Sequence, residues 1–157
     1  IGRWADAIEM DINVYYGLDF SKDLIRIAQK RNRKSNFYFY EEAADHVGKF
    51  VQEKDIGKFN VILIVGILMY LNDEEVNLLL KQIDEICEEH AIICIREPIG
   101  MEERLTLKDY FSDELQDNYN AIYRTQQEML KFIKDNFVQA GFLNKRCNLR
   151  SIKALPF

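Results

Sequence analysis

Two carboxylates in this sequence stand where they could meet a ligand. Asp19 closes the aromatic, apolar run Val14-Tyr15-Tyr16-Gly17-Leu18 and is followed at once by Phe20, Ser21 and a helix-like stretch. A carboxylate at the carboxyl end of a parallel strand lies where open α/β sheets bind nucleotides, and it can accept both hydroxyls of a ribose. The same group could instead cap the helix beside Ser21, whose hydroxyl suits an N-cap. Glu97 closes a second apolar run, Ala91 to Ile95, just before Pro98. There it could orient or deprotonate a substrate, or form an ion pair with Arg96. Between these two lies Val65-Gly66-Ile67-Leu68-Met69-Tyr70. Gly66 lets backbone approach a planar ligand closely, while Ile67, Leu68 and Met69 offer either apolar contacts to it or plain core packing.

Other chemistries lack their residues. The two histidines are far apart: His90 is expected at a helix end and His46 on the surface after a second aromatic strand. No Ser/His/Asp arrangement, HExxH or Walker loop is present. Cys87, Cys94 and Cys147 are odd in number and widely spaced, which predicts reduced thiols in a cytoplasmic protein and no structural or catalytic metal. A net charge of −5 argues against a nucleic-acid binder. The basic cluster Lys30, Arg31, Arg33, Lys34 reads as the C-terminal end of a helix, where cations suit the dipole. No apolar run is long enough to span a bilayer. The numbering starts at Ile1 rather than Met, so the 157 residues read as one domain whose N-terminal part is incomplete.

The elements that must position these groups alternate. Arg3 to Met10 has helical spacing, and the strand ending at Asp19 runs into an apolar helix face of Leu24, Ile25, Ile27 and Ala28. Asn36 to Tyr40 is a second strand, and Ala43 to Glu53 a helix with Val47, Phe50 and Val51 inward. Phe59 to Val65 is nearly continuous apolar sequence, as expected of a central strand covered on both faces. Asn72 or Asp73 caps a helix that buries Val76, Leu79, Leu80, Ile83 and Ile86. Strand–helix alternation predicts a doubly wound, mostly parallel α/β sheet. After Pro98 the period is lost until Thr125-Gln126-Gln127-Glu128, a capping box that opens a helix ending near Gly141. Phe142 to Leu149 and Ile152 to Leu155 are expected to form an antiparallel pair at the C-terminal sheet edge.

Taken in order, these features resemble the class I S-adenosylmethionine-dependent methyltransferases, which have a Rossmann-like sheet. Gly2-Arg3-Trp4 is similar to the end of that family's glycine-rich motif. Tyr16-Gly17-Leu18-Asp19-Phe20-Ser21 resembles its second motif, whose acidic residue binds the cofactor ribose. Phe59 to Leu63 with Leu68 to Asp73 resembles its fourth strand and the following loop, and Ala140-Gly141-Phe142 its last helix–strand junction. The resemblance implies that Gly2 lies near the amino-acid moiety of S-adenosylmethionine and Asp19, Phe20 and Ser21 at its ribose. Glu42 and Ala43 would hold the adenine edge, and Gly66, Ile67 and Leu68 would flank the sulfonium. The family's first strand and earlier glycines are missing. This predicts a gap between the strands ending at Asp19 and Val65, covered by upstream chain, a second copy or a rearrangement. Cofactor binding by these residues alone is expected to be weak or lost.

Methyl transfer is an in-line displacement that depends on alignment and charge complementarity. Glu97 and Tyr119 are the candidate catalytic groups, with Tyr70, Tyr123 and Arg124 as substrate contacts; Tyr119 to Arg124 could instead pack the last helix. The acceptor is expected to be a small or sugar-like molecule, with no nucleic acid, no membrane and a homodimer as the partner that could cover the open edge. An NAD(P)-dependent oxidoreductase would use Asp19 equally well, and a non-catalytic methyltransferase-like interaction module is the reading of a different class.

Overall fold

A computed structural model of the chain describes residues 2–6, 8, 11–113 and 116–138. Its local structure starts from caps. The Ser21 hydroxyl accepts the Leu24 amide at 3.4 Å and opens α2 (Lys22–Arg31). Asn72, rather than Asp73, caps α4 (Asp73–Glu85): its side chain accepts two amides of the first turn, and the Glu75 carboxylate returns to the Asn72 amide at 2.7 Å. Thr125 and Glu128 form the expected reciprocal box at the start of α5 (Gln126–Ile133). Each box satisfies amides that the helix itself leaves open.

The other α-helices and strands are α1 (Gly2–Asp6), β1 (Tyr15–Asp19), β2 (Phe37–Glu41), α3 (Val47–Glu53), β3 (Phe59–Val65), β4 (Cys87–Arg96), β5 (Leu105–Ser112) and β6 (Asp117–Tyr123), with a 3₁₀ turn at Leu68–Tyr70 and a π-helical turn at Lys134–Val138 continuing α5. The architecture is mixed α/β with small sheets. β1 pairs β2 in parallel, β3 pairs β4 in parallel, and β5 pairs β6 antiparallel. Among the described residues the hydrogen bonds join two separate parallel pairs rather than one continuous sheet. β1 and β3 meet only through side chains, the Tyr16 ring standing edge-on to Phe59 with centroids 5.9 Å apart.

Two apolar cores follow this division. Ile25 and Ala28 of α2 and Ala5 of α1 pack on Phe37 and Phe39 of β2. The larger core gathers Phe50, Val51, Ile64, Leu68, Val76, Leu79, Leu80, Ile83, Met129 and Phe137 between α3, α4, α5 and one face of β3–β4.

Several expectations are corrected. Leu24 and Ile27 are half exposed, because α2 rests on β2 along a narrower stripe than its apolar residues suggest. β3 is covered on one face only: Val61, Leu63 and Ile92 are exposed on the other, since α3, α4 and α5 all lie on the side of Ile62 and Ile64. His90 stands in β4, not at a helix end. α4 stops at Glu85, Cys87 pairs Phe59 at once, and the polar segment Glu88 to Ala91 bulges out before pairing resumes at Val61 with Ile92. The stretch after Pro98, which showed no period, holds the β5–β6 hairpin. Ala44 to His46 is a short 3₁₀ turn ahead of α3. Met10, Ala140 to Phe142, Cys147 and the two expected C-terminal strands lie outside the described residues. Among the described residues no helix is long and apolar enough to cross a membrane.

Candidate functional site

Parallel pairing aligns the carboxyl ends of β1 and β2, and with them the first group of candidate residues. Asp19 lies opposite Glu41, and the Glu42 amide donates to the Asp19 carbonyl at 3.0 Å. The Asp19 carboxylate accepts the Ser21 amide at 2.9 Å through Oδ1, so the local turn is one of its roles. Glu42 folds back in the same way: its Oε1 accepts the Ala43 amide at 3.1 Å and lies 3.3 Å from His46 Nδ1. Phe20 projects from this rim, 75% exposed. Asp19, Phe20, Ser21, Glu42 and Ala43 thus form one contiguous edge.

The second group sits on the ends of β3 and β4. Gly66 turns the chain with φ of +62°, a conformation that other residues adopt at a cost, and a Cβ there would meet nothing within 4 Å. Its amide donates to the Arg96 carbonyl at 2.9 Å. Glu97 then reaches across: Oε1 accepts the Ile67 amide at 2.8 Å and the Leu68 amide at 3.1 Å. Its other oxygen, Oε2, is buried and without a hydrogen-bond partner among the described residues. Burial pushes the Glu97 carboxyl above its ordinary value, against the opposing pull of the loop amides. Glu97 therefore does not pair with Arg96, whose guanidinium lies 5.7 Å from the Trp4 ring and brings the Gly2–Asp6 helix beside this strand end. Leu68 is a core residue, 1% exposed, and Ile67 packs against the same core.

The hairpin closes the third side. Arg124, immediately after β6, is almost fully buried, and all three nitrogens of its fork donate within the fold. Nη1 donates to the Leu68 carbonyl at 2.7 Å, Nη2 to the Leu71 carbonyl at 2.6 Å, and Nε and Nη2 to Asp73 Oδ1 at 2.9 and 2.7 Å. Arg104 holds the same Asp73 bidentately at 2.8 and 2.9 Å and touches Glu128 at 3.3 Å. These bonds, led by that from Arg104, hold the Asp73 carboxyl below its ordinary range. The loop between β3 and α4 is therefore gripped by Glu97 through its amides and by Arg124 through its carbonyls. Tyr119 and Tyr123 bring their hydroxyls to 3.4 Å. Burial and that contact push the Tyr123 phenol up to about 12. Tyr70, half exposed, stands at the lip of the same loop.

The structure thus brings Gly66, Ile67, Leu68, Glu97, Tyr70, Tyr119, Tyr123 and Arg124 to one region, and Asp19, Phe20, Ser21, Glu42 and Ala43 to the other strand tips. Sequence reading missed Arg104 and Asp73 as members of this network. The available signal was Asp73 in the first turn of a capped helix, with Arg124 directly ahead of a second capping box. Among the described residues no three His, Cys, Asp or Glu side chains converge as a metal site. No protein-family model matches the chain, and no curated protein matches it.

Proposed function

We propose that this chain carries the strand-tip site of an S-adenosylmethionine-dependent methyltransferase with a Rossmann-like, doubly wound arrangement, acting on a small or sugar-like acceptor in the cytoplasm. The observation that carries the reading is Glu97. It is a part-buried carboxylate at the end of a parallel strand pair, with one oxygen fixed by two loop amides and the other buried and, among the described residues, without a hydrogen-bond partner. Such an oxygen fits a donor group on a ligand, and the open space beside Gly66 fits close approach of that ligand to backbone.

When bound, S-adenosylmethionine supplies an electrophilic methyl group. Asp19 would accept its ribose hydroxyls, with Phe20 and Ser21 beside them. Glu42 and Ala43 would border the adenine, Gly2 the amino-acid end, and Gly66 and Ile67 the sulfonium side, with Leu68 packed in the core beneath them. Glu97 Oε2 would take the donated proton of the acceptor, a task suited to a carboxylate whose affinity for protons is raised by burial. The paired Tyr119 and Tyr123 hydroxyls and Tyr70 would orient the acceptor. Arg124 supports the loop from behind, so its part is positioning.

The test is an NMR titration of the full chain with S-adenosylhomocysteine and, separately, NAD. The expected result is weak, saturable binding of S-adenosylhomocysteine, with amide shifts at Asp19, Glu42 and Gly66 that Asp19→Ala abolishes. Preference for NAD, or shifts scattered away from the strand tips, would sink the reading.

A further inference from the structure

Pro98 and Ile99 lead the chain from β4 into a turn that is pinned to the end of β6. The Gly100 amide donates to the Arg124 carbonyl at 3.0 Å, and Gly100 bridges Thr125. A Cβ at Gly100 would run into the Glu103 carbonyl, so the turn closes this tightly only around glycine. Beyond it, Leu105 and Tyr123 lie opposite each other across β5–β6 and present their side chains to one face. With Ile99, Met101, Glu102 and Glu103 they line an open cleft of about 470 Å³.

Two features set the chemistry of this cleft. Its apolar lining is left to solvent: Met101 is 87% exposed, and Ile99 and Leu105 are also on the exposed side. Among the described residues that line it, the charges are two carboxylates, and the one guanidinium between them and β5 is turned away. Arg104 is held by Asp73 and Glu128, so it does not neutralise its neighbours. Among the described residues neither Glu102 nor Glu103 forms a salt bridge. The Tyr123 phenol stays uncharged over the working range and adds a π face. Carboxylates beside an aromatic face and a thioether attract an organic cation, give a neutral polyol little, and repel an anion.

We propose that this cleft takes a small organic cation, an amine with an apolar body, and that this amine is the acceptor: its ammonium would first give up a proton to Glu97 Oε2, and the freed nitrogen lone pair would form the new N–C bond as the donor's S–C bond breaks, that electron pair leaving on a neutral thioether. Its role as acceptor rests on the methyl-transfer reading and narrows that reading from sugar-like molecules to amines; cation binding does not depend on it.

The full chain, isotope-labelled, is titrated with three probes of one shape: phenethylammonium, phenethyl alcohol and phenylacetate. The ammonium is expected to give saturable shifts at the amides of Met101, Glu102, Glu103 and Tyr123. The alcohol should bind about tenfold more weakly, the difference one cation–carboxylate or cation–π contact makes at a partly exposed site. Glu102→Gln combined with Glu103→Gln should remove that difference by weakening the ammonium alone. Equal affinity for ammonium and alcohol, or shifts confined to other surfaces, overturns the proposal. Amine binding without strand-tip shifts from S-adenosylhomocysteine would keep the cleft and remove methyl transfer. Strand-tip shifts without amine binding would do the reverse.

Discussion

Replacing Arg124 with alanine should be among the most damaging single changes in this protein, and the structure says why. The Arg124 side chain is 1% exposed and serves two main-chain carbonyls, Leu68 and Leu71, besides Asp73. Asp73 itself is 44% exposed and keeps its bidentate bond to Arg104, so no buried charge is stranded. The loss is therefore smaller than the full penalty for breaking a buried ion pair. What remains is the desolvation of the two carbonyls, about 1–3 kcal/mol for a fully buried group and less for Leu71, plus the space left against Phe132. The sum is about 3–4 kcal/mol, or roughly 6–16 °C in Tm at this chain length. Urea unfolding at unchanged slope is the assay. Arg124→Lys should recover only part, because one ammonium cannot span both carbonyls and the carboxylate. Arg104→Ala, which removes a largely exposed pair, should cost under about 1 kcal/mol. If the alanine change at Arg124 costs no more than that at Arg104, the clamp is not what holds the loop between β3 and α4.

The helix caps should rank by geometry: Asn72→Ala should cost about 1 kcal/mol, whereas Ser21→Ala, which removes one long bond at 3.4 Å, should cost a few tenths, as read from urea midpoints. Stability should also fall as pH rises from about 4.5, the ordinary carboxyl value, through the raised Glu97 value, because the folded state there holds more protons than the unfolded one. Glu97→Gln should flatten that slope while leaving the acid limb, where Asp73 and Glu128 lose their depressed-pKa contribution as pH falls, in place.

What could be read in advance was local. Ser21 and the Thr125–Glu128 pair are caps whose partners lie within three residues, so sequence order alone finds them, and it narrows the cap of α4 to Asn72 or Asp73. The buried face of α4 was equally legible, since its apolar residues repeat at helical spacing against one core. Long-range partners were not. Nothing near Glu97 in sequence says that it will reach the amides of Ile67 and Leu68, and the capping box beside Arg124 marks its place at a helix start without naming the Leu68 and Leu71 carbonyls as its partners. The β5–β6 hairpin was obscured because both strands are largely exposed and carry polar residues on either face. β3 misled in the other direction: its unbroken apolar run suggested two covered faces, yet Val61 and Leu63 have no cover among the described residues.

The split between the two parallel pairs bears on how this molecule unfolds. β1, α2 and β2 form a unit with its own core, and β3, α4 and β4 form another. Among the described residues no backbone ladder couples them; packing of Tyr16, Leu18 and Tyr40 across the boundary does. Side-chain packing transmits cooperativity less rigidly than a shared ladder, so the smaller unit can open while the larger remains folded. The strand tip bearing Asp19 and the one bearing Glu97 then belong to separate cooperative units, and a ligand spanning both would join them into one.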